Sequence, residues 1–494
     1  MAKILLLNPN KWGRGITTIW VASHASVLKK NKHDVSLFDC TFFKNWSDDE
    51  LNINTKNLQF KPTNYEENIK WESKDLLKSL QNKIDFFSPD IIFSSAISSH
   101  IHGEGEYINI QHAYDLLKKM RFNGLIILGG LQSTSRPEIV LKSMPKVDYL
   151  ISGESELILN DIAALHPDKN KIQTLDGINY LSLEKFKKNK SQKIINDLDI
   201  LAPYDYSLFS DQTFNRPYNG KIIRAIDYEI SRGCIYTCSY CVETIIQNYY
   251  QVGDNNNRGA LKNPSAYLRN KSSKIIFNEI QELNKKFKIK LFRCQDTNFL
   301  TINKKVLTEL ADLIDESKID IKLYIETRPE GINEKTVKLL KKLKVDGVGM
   351  GVELSDESFR DGTLNRYVDQ KKIIRAFEIL KDYKINRTAY NMIGLEGQSE
   401  DSIKETIKFN ILLNPEVSSV AYYSAYDGTN LAYKSIKNYP TNLNDMDAQI
   451  RSKIIKHDKI DPRLLEFYKN NFNYFIENNM KNLDKMRSEW LENN

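Results

Sequence analysis

The chain has 494 residues, 41% of them hydrophobic, and a net charge of +7. That length exceeds what one core fills and predicts two or three domains, and the composition is that of a folded chain, not a disordered one. No apolar run approaches the roughly 20 residues of a membrane helix, and the opening MAKILLLNPN is too short for a signal peptide. Five cysteines argue against a disulfide framework, so a cytoplasmic protein with no membrane contact is expected. Basic residues fall on helix ends and polar faces and form no stripe on one element, which argues against a nucleic-acid partner.

In chain order, KILLLN (3–8) reads as a buried parallel strand, followed by a helix to about Lys30. DVSLFD (34–39), PDIIFSS (89–95), GLIILGG (124–130) and VDYLISG (147–153) read as four more strands. A polar insertion, about 45–73, carries Trp46, Phe60, Tyr65 and Trp71, either as a lid or as staples to its own domain. Helical stretches fit between most strands, which predicts a doubly wound, Rossmann-like and flavodoxin-like parallel sheet over residues 1–165. Ligands bind beyond the carboxyl ends of such strands. Those ends carry Asn8, Ser94, Gly129, Gly130 and Gly153, small or polar residues that let backbone N–H groups come close to a ligand.

Residues 166–220 read as a linker, because DLDILAPYDYSLF (197–209) has no clean period and contains a proline. A second βα series follows over 221–430, with strands expected at 224–231, 289–294, 319–326, 346–353, 386–394 and 417–425. Repeated βα units of this length suit a partial TIM-type (β/α) barrel. The remainder, 431–494, reads as a small helical segment.

Three of the five cysteines lie within eight residues, at Cys234, Cys238 and Cys241 in SRGCIYTCSYCVE. They follow the first strand of the second series, on the face where βα architectures assemble active sites. Three soft thiolates can wrap one side of an iron–sulfur cluster and leave one iron open. The alternative is structural zinc, which wants a closed set of four ligands; no matching CxxC or HxxxH pair occurs elsewhere. Cys40 and Cys294 read as small buried residues.

The CxxxCxxC loop, with Tyr240 before its last cysteine, resembles that of the radical S-adenosylmethionine (SAM) superfamily. FRCQDTNFL resembles the second-strand segment of those enzymes, and GVGMGVE followed by LNR their fourth-strand glycine–glutamate and arginine pair. YNMIGLEGQSED resembles their Met-Ile-Gly-x-Pro-Gly-Glu segment, with Glu396 in place of the proline and Gln398 in place of the glutamate. The first half, through SPDIIFSSAIS, LIILGGLQST, VDYLISGESE and DLDILAPYDY, resembles the cobalamin-binding domain that precedes the barrel in one branch of that superfamily, the class B methyltransferase-like branch.

The resemblance implies that Cys234, Cys238 and Cys241 would hold a [4Fe–4S] cluster whose open iron chelates SAM. Reduction would then split SAM into methionine and a 5′-deoxyadenosyl radical. Tyr240 would lie near the adenine, Glu353 would accept from the ribose hydroxyls, and Arg366 would pair with the methionine carboxylate or else serve as a surface helix-cap cation. Asp296 and Asn298 would open into the cavity or form turns, and Glu326 and Arg328 stand at the next strand's end in a similar position. The branch implies cobalamin, placed against Ser94, Gly129, Gly130 and Gly153, and methyl transfer to an unactivated carbon or phosphorus. Rearrangement or ring formation without cobalamin, and a non-catalytic metal protein, are the other readings. The Asp-x-His-x-x-Gly cobalt-ligand pattern is absent; His100 and His102 in SSHIHGEG read as loop residues. A small-molecule substrate is expected, polar or nucleotide-linked if segment 242–271 reads it, together with an electron donor such as flavodoxin or ferredoxin.

Overall fold

The computed structural model describes residues 1–13, 15–47, 50–95, 110–254, 258–423, 426, 428–435 and 459–494. His100 and His102 lie outside the described residues.

The first five expected strands form as β1 (Lys3–Asn8), β2 (Asp34–Asp39), β3 (Ile91–Ser95), β4 (Leu125–Gly129) and β5 (Tyr149–Ile151). They pair in parallel in the order β2-β1-β3-β4-β5, the doubly wound arrangement whose switch point lies between β1 and β3. β3 and β4 are buried at every position, as strands covered on both faces must be.

Part of the segment read as linker belongs to this sheet. Residues β6 (Ile178–Ser182) and β7 (Lys185–Lys188) form a hairpin that extends it antiparallel from β5. Their polar, half-exposed pattern suits an edge, and it hides the strand period from sequence. The later part of the segment is buried. Tyr204, Tyr206, Phe209 and Phe214 join one apolar cluster that also holds Ile4, Leu6 and Trp20 of the first half and Ile226, Tyr228 and Phe292 of the second.

The second sheet has the order β16-β15-β14-β13-β12-β9-β8. Its six parallel strands are β9 (Lys221–Tyr228), β12 (Leu291–Cys294), β13 (Lys322–Thr327), β14 (Val345–Glu353), β15 (Asn386–Ile393) and β16 (Val417–Tyr422). β8 (Asn215–Tyr218) adds antiparallel to β9 through a turn in which Asn219 and Gly220 both have positive φ. That conformation matches the strand twist of a tight hairpin. The sheet is an open partial barrel, α/β like the first half, and its two edges are β16 and β8. Two short strands, β10 (Ser231–Arg232) and β11 (Arg269–Asn270), pair beside it.

Helices Pro462–Glu477 and Leu483–Asn493 pack an apolar face, including Leu465, Phe467 and Phe472, on Ile393, Ile403 and Val420. Among the described residues no helix is long and apolar enough to cross a membrane.

Candidate active site

The cysteine loop is held from both sides before any thiol is placed. Asp296, just past β12, accepts from the N–H groups of Ile230 (3.2 Å) and Ser231 (2.6 Å) and from Ser231 Oγ (2.6 Å). Arg232 is clasped by Glu229 (2.5 Å), Glu156 (2.5 Å) and Glu154 (3.3 Å). Gly233 turns the chain at φ +98, where a Cβ would stand 2.7 Å from the Tyr267 carbonyl. Gln247 Nε2 then donates to the carbonyls of Cys234 and Tyr236, both at 3.0 Å. On the far side Ser239 and Thr237 bond to Thr363, Leu364 and Asn365, which brings Arg366 beside the loop.

Cys234, Cys238 and Cys241, at the carboxyl end of the barrel strands, line one cavity of about 440 Å³ that runs on to the amino ends of β15 and β16, together with Tyr240, Asn298, Glu326, Arg328, Glu353 and Arg366. Cys234 and Cys238 are buried. Burial pushes the Cys234 thiol up to about 12, with the Glu243 carboxylate adding to it. Burial and the neighbouring thiols raise Cys241 as well. Such a set releases its protons to a strongly cationic partner. Among the described residues no three His, Cys, Asp or Glu side chains converge closely enough for a single metal ion. Three thiols on one cavity are the soft donors that an iron–sulfur cluster takes, whereas structural zinc wants a closed set of four.

Facing the thiols, Tyr240 Oη donates to Glu353 Oε1 at 2.9 Å, and Arg366 Nη1 lies 3.7 Å from the same oxygen. Arg366 Nη2 donates to the Gly351 carbonyl at 2.6 Å, while its Nε is buried without a hydrogen-bond partner. Burial opposes the Arg366 charge, but Tyr240 and Glu353 outweigh it and hold the guanidinium protonated. Glu353 itself sits at φ +64. Arg366 is thus a buried part of the cavity wall, not a surface helix cap. Gln398 Oε1 turns back to accept from the N–H groups of Gly394 and Leu395.

Asn298 lines the cavity and accepts from Thr327 Oγ1 at 2.6 Å. Asp296 is not among the lining residues; its carboxylate is spent on the loop before the cysteines. Ser94, Gly129, Gly130 and Gly153, on the first sheet's carboxyl edge, are not among the residues that line this cavity. Gly153, at φ +80, is covered by protein: a Cβ there would meet Tyr249 Cε1 and Tyr250 Oη, each at 2.6 Å. Gly130 has φ +91 and opens the turn into Leu131–Ser135. Ser94 Oγ is buried and has no hydrogen-bond partner. Cys40 and Cys294 are simply buried.

Other residues emerge only in three dimensions. Tyr324 and Tyr390 join hydroxyls at 2.9 Å and Tyr390 donates to Glu326 at 3.0 Å, deep in the cavity. Their inward placement follows from strand alternation, but which face is inward is not legible locally. Phe60 of the polar insertion also lines the cavity. Its companions are staples: Trp46 Nε1 donates to Pro9 O, Tyr65 Oη accepts from Gly15 N, and Trp71 Nε1 donates to Glu66. Segment 242–271 serves the domain contact more than the cavity, since Tyr250 Oη accepts from Glu154 N and Arg269 pairs with Glu154 at 2.8 Å.

Residues 228–409 match the profile of the Radical SAM superfamily. Among curated proteins, the chain is 25% identical over 362 residues to an anaerobic magnesium-protoporphyrin IX monomethyl ester cyclase of Rubrivivax gelatinosus, covering 71% of this chain and 59% of that protein. The chain therefore spans less than two thirds of that relative. Among solved structures, the radical SAM methyltransferase TsrM of Kitasatospora setae superposes with a TM-score of 0.64 at 14% identity, over 88% of this chain and 76% of that one. The cobalamin-dependent radical enzyme OxsB superposes with a TM-score of 0.56 at 15% identity, over 97% and 56%. These two likenesses are of fold. The profile match falls on the barrel that carries the three thiols and the glutamate–arginine pair beside them, so residues 228–409 are similar to a radical SAM domain.

Proposed function

We propose that the protein is a radical SAM enzyme, and that it is a cobalamin-dependent methyltransferase acting on an unactivated carbon or phosphorus of a small molecule. The observation that carries the reading is the convergence of Cys234, Cys238 and Cys241 with Tyr240, Glu353 and Arg366 on one cavity. When bound, a three-cysteine [4Fe–4S] cluster supplies the electron that splits SAM to methionine and a 5′-deoxyadenosyl radical. The chain supplies the rest. Arg366, held on the Gly351 carbonyl with its Nε unpartnered, is ready to pair with the methionine carboxylate. Glu353, already accepting from Tyr240, has a second oxygen to offer the ribose hydroxyls. Tyr240 would lie against the adenine, and the inward tyrosines and Glu326 would meet the substrate.

For cobalamin, the support is the fold likeness to TsrM and OxsB and a buried, unpartnered Ser94 Oγ near the carboxyl end of β3, opposite Leu128 and one residue before the Ser95–Gly129 pair. A buried hydroxyl wants a polar partner, which a ligand atom or an ordered water can supply. A bound cobalamin would supply the methyl carrier. Flavodoxin or ferredoxin is the class of electron donor implied.

Anaerobic reconstitution with iron and sulfide tests the reading. The wild type should hold a cluster and, with SAM and reductant, release 5′-deoxyadenosine; Cys238→Ala should lose both. Co-production of S-adenosylhomocysteine supports methyl transfer. Deoxyadenosine without it, in protein loaded with hydroxocobalamin, would instead favour the ring-forming chemistry of the cyclase relative.

A further inference from the structure

Arg328 stands at the carboxyl end of β13, buried to 7% exposure, and is fixed on three sides. Its guanidinium lies 3.7 Å from the centre of the Tyr236 ring, inside the cysteine loop. Its Nε and Nη2 donate to Glu330 Oε1 at 2.9 and 2.5 Å. Its remaining arm, Nη1, points at Cys238 Sγ from 3.6 Å. Arg366, the other guanidinium near Cys238, is committed to the Gly351 carbonyl and Glu353, so Arg328 is the one that donates to sulfur. A clasp for the turn after β13 would explain the Glu330 pair alone. It would not explain stacking on a second loop or an N–H aimed at a thiol.

We propose that Arg328 sets how readily the cysteine-bound cluster accepts its electron, acting through Cys238 as a positioning residue. The proposal rests on the radical SAM reading. Hydrogen bonds to cluster sulfurs and nearby charge govern such potentials. Reduction adds one electron to the cluster from a low-potential donor, with no bond to the protein made or broken. A cation fixed against one thiolate, in a site where water screens little, favours the more negative state. Glu330 offsets part of that charge, and the Tyr236 ring keeps the guanidinium from swinging away.

The test is a reductive titration of reconstituted wild type, Arg328→Gln, Arg328→Lys and Glu330→Gln with dithionite, followed by electron paramagnetic resonance, with iron and sulfide counted per chain. Arg328→Gln should shift the midpoint to more negative potential, Glu330→Gln to less negative, and Arg328→Lys should restore part of the loss. Opposite shifts are not what a turn clasp produces. Midpoints equal to wild type at full cluster content, or shifts of one sign in both variants, would overturn the proposal. If Arg328→Gln fails to load, Glu330→Gln decides alone: a less negative midpoint supports the role, and any other result ends it. A wild type that holds no cluster overturns the functional reading itself, before Arg328 is at issue.

Discussion

Three alternate residues of β14, Gly347, Gly349 and Gly351, leave the barrel's inner wall bare, and aromatic or charged groups fill the space. A Cβ at Gly349 would stand 2.6 Å from Tyr390 Cε2 and 2.8 Å from Tyr324 Oη; one at Gly351 would stand 2.2 Å from Glu353 Oε1. Gly349→Ala should therefore separate the two tyrosines and destabilise the fold by about 1–3 kcal/mol, measurable by denaturant unfolding. Glu353→Gln should weaken SAM binding to the reconstituted protein about tenfold, roughly 1.4 kcal/mol, as read by equilibrium dialysis, with cluster content unchanged. The alternation of GVGMGVE is visible in sequence, and so are the cysteines, because their spacing is local. Asp296 is the counter-example. The residue is legible, but its carboxylate goes to Ile230 and Ser231, 66 and 65 positions away, where sequence spacing carries no information.

At the scale of elements, the turn that follows β5 grips the cysteine loop at both ends. Glu154 and Glu156 hold Arg232 ahead of the thiols, and Gly153 and Glu154 receive Tyr249 and Tyr250 behind them. Burial opposes ionisation of Glu156, but Arg232 and His24 outweigh it and bring its carboxyl from 4.5 to about 2. Glu154, Glu229 and Ser23 complete its surroundings. A carboxyl depressed by folding stabilises the native state above its unfolded value and loses that contribution as pH falls through the folded one. The stability advantage of wild type over Glu156→Gln should thus be full above pH 4.5 and shrink toward pH 2, in acid-unfolding curves read by tryptophan fluorescence. At neutral pH the variant should lose about 3 kcal/mol, since Arg232 is left partly unpaired in the interior. The parallel strands of both sheets are legible in the βα rhythm, though not their order, and the β6–β7 hairpin escapes it because LSLEKFKK lies half in solvent. The β8–β9 hairpin had a usable signal in Asn219-Gly220.

For the whole molecule, one apolar core runs through both sheets, so the two halves should unfold in a single transition. The residues proposed to hold cobalamin are nonetheless distinct from those that line the barrel cavity. Ser94→Val should lower the corrinoid retained after desalting while leaving iron content unchanged, which separates the first sheet's site from the barrel's.

The polar insertion of the first half spans the gap in the open barrel. Gln59 Oε1 accepts from Val420 N at 2.9 Å and from Ser419 Oγ on the β16 edge, and Asn68 O accepts from Asn215 at the β8 edge. Lys61 and Pro62 lie against the Gly220 turn. The missing staves are supplied from elsewhere in the chain. A fragment cut at the start of the catalytic half would keep every thiol and still present two raw, adhesive margins to its neighbours. A chimera that takes its barrel from a homologue should therefore stay monomeric only when residues 59–68 come with that barrel, as size-exclusion chromatography would show.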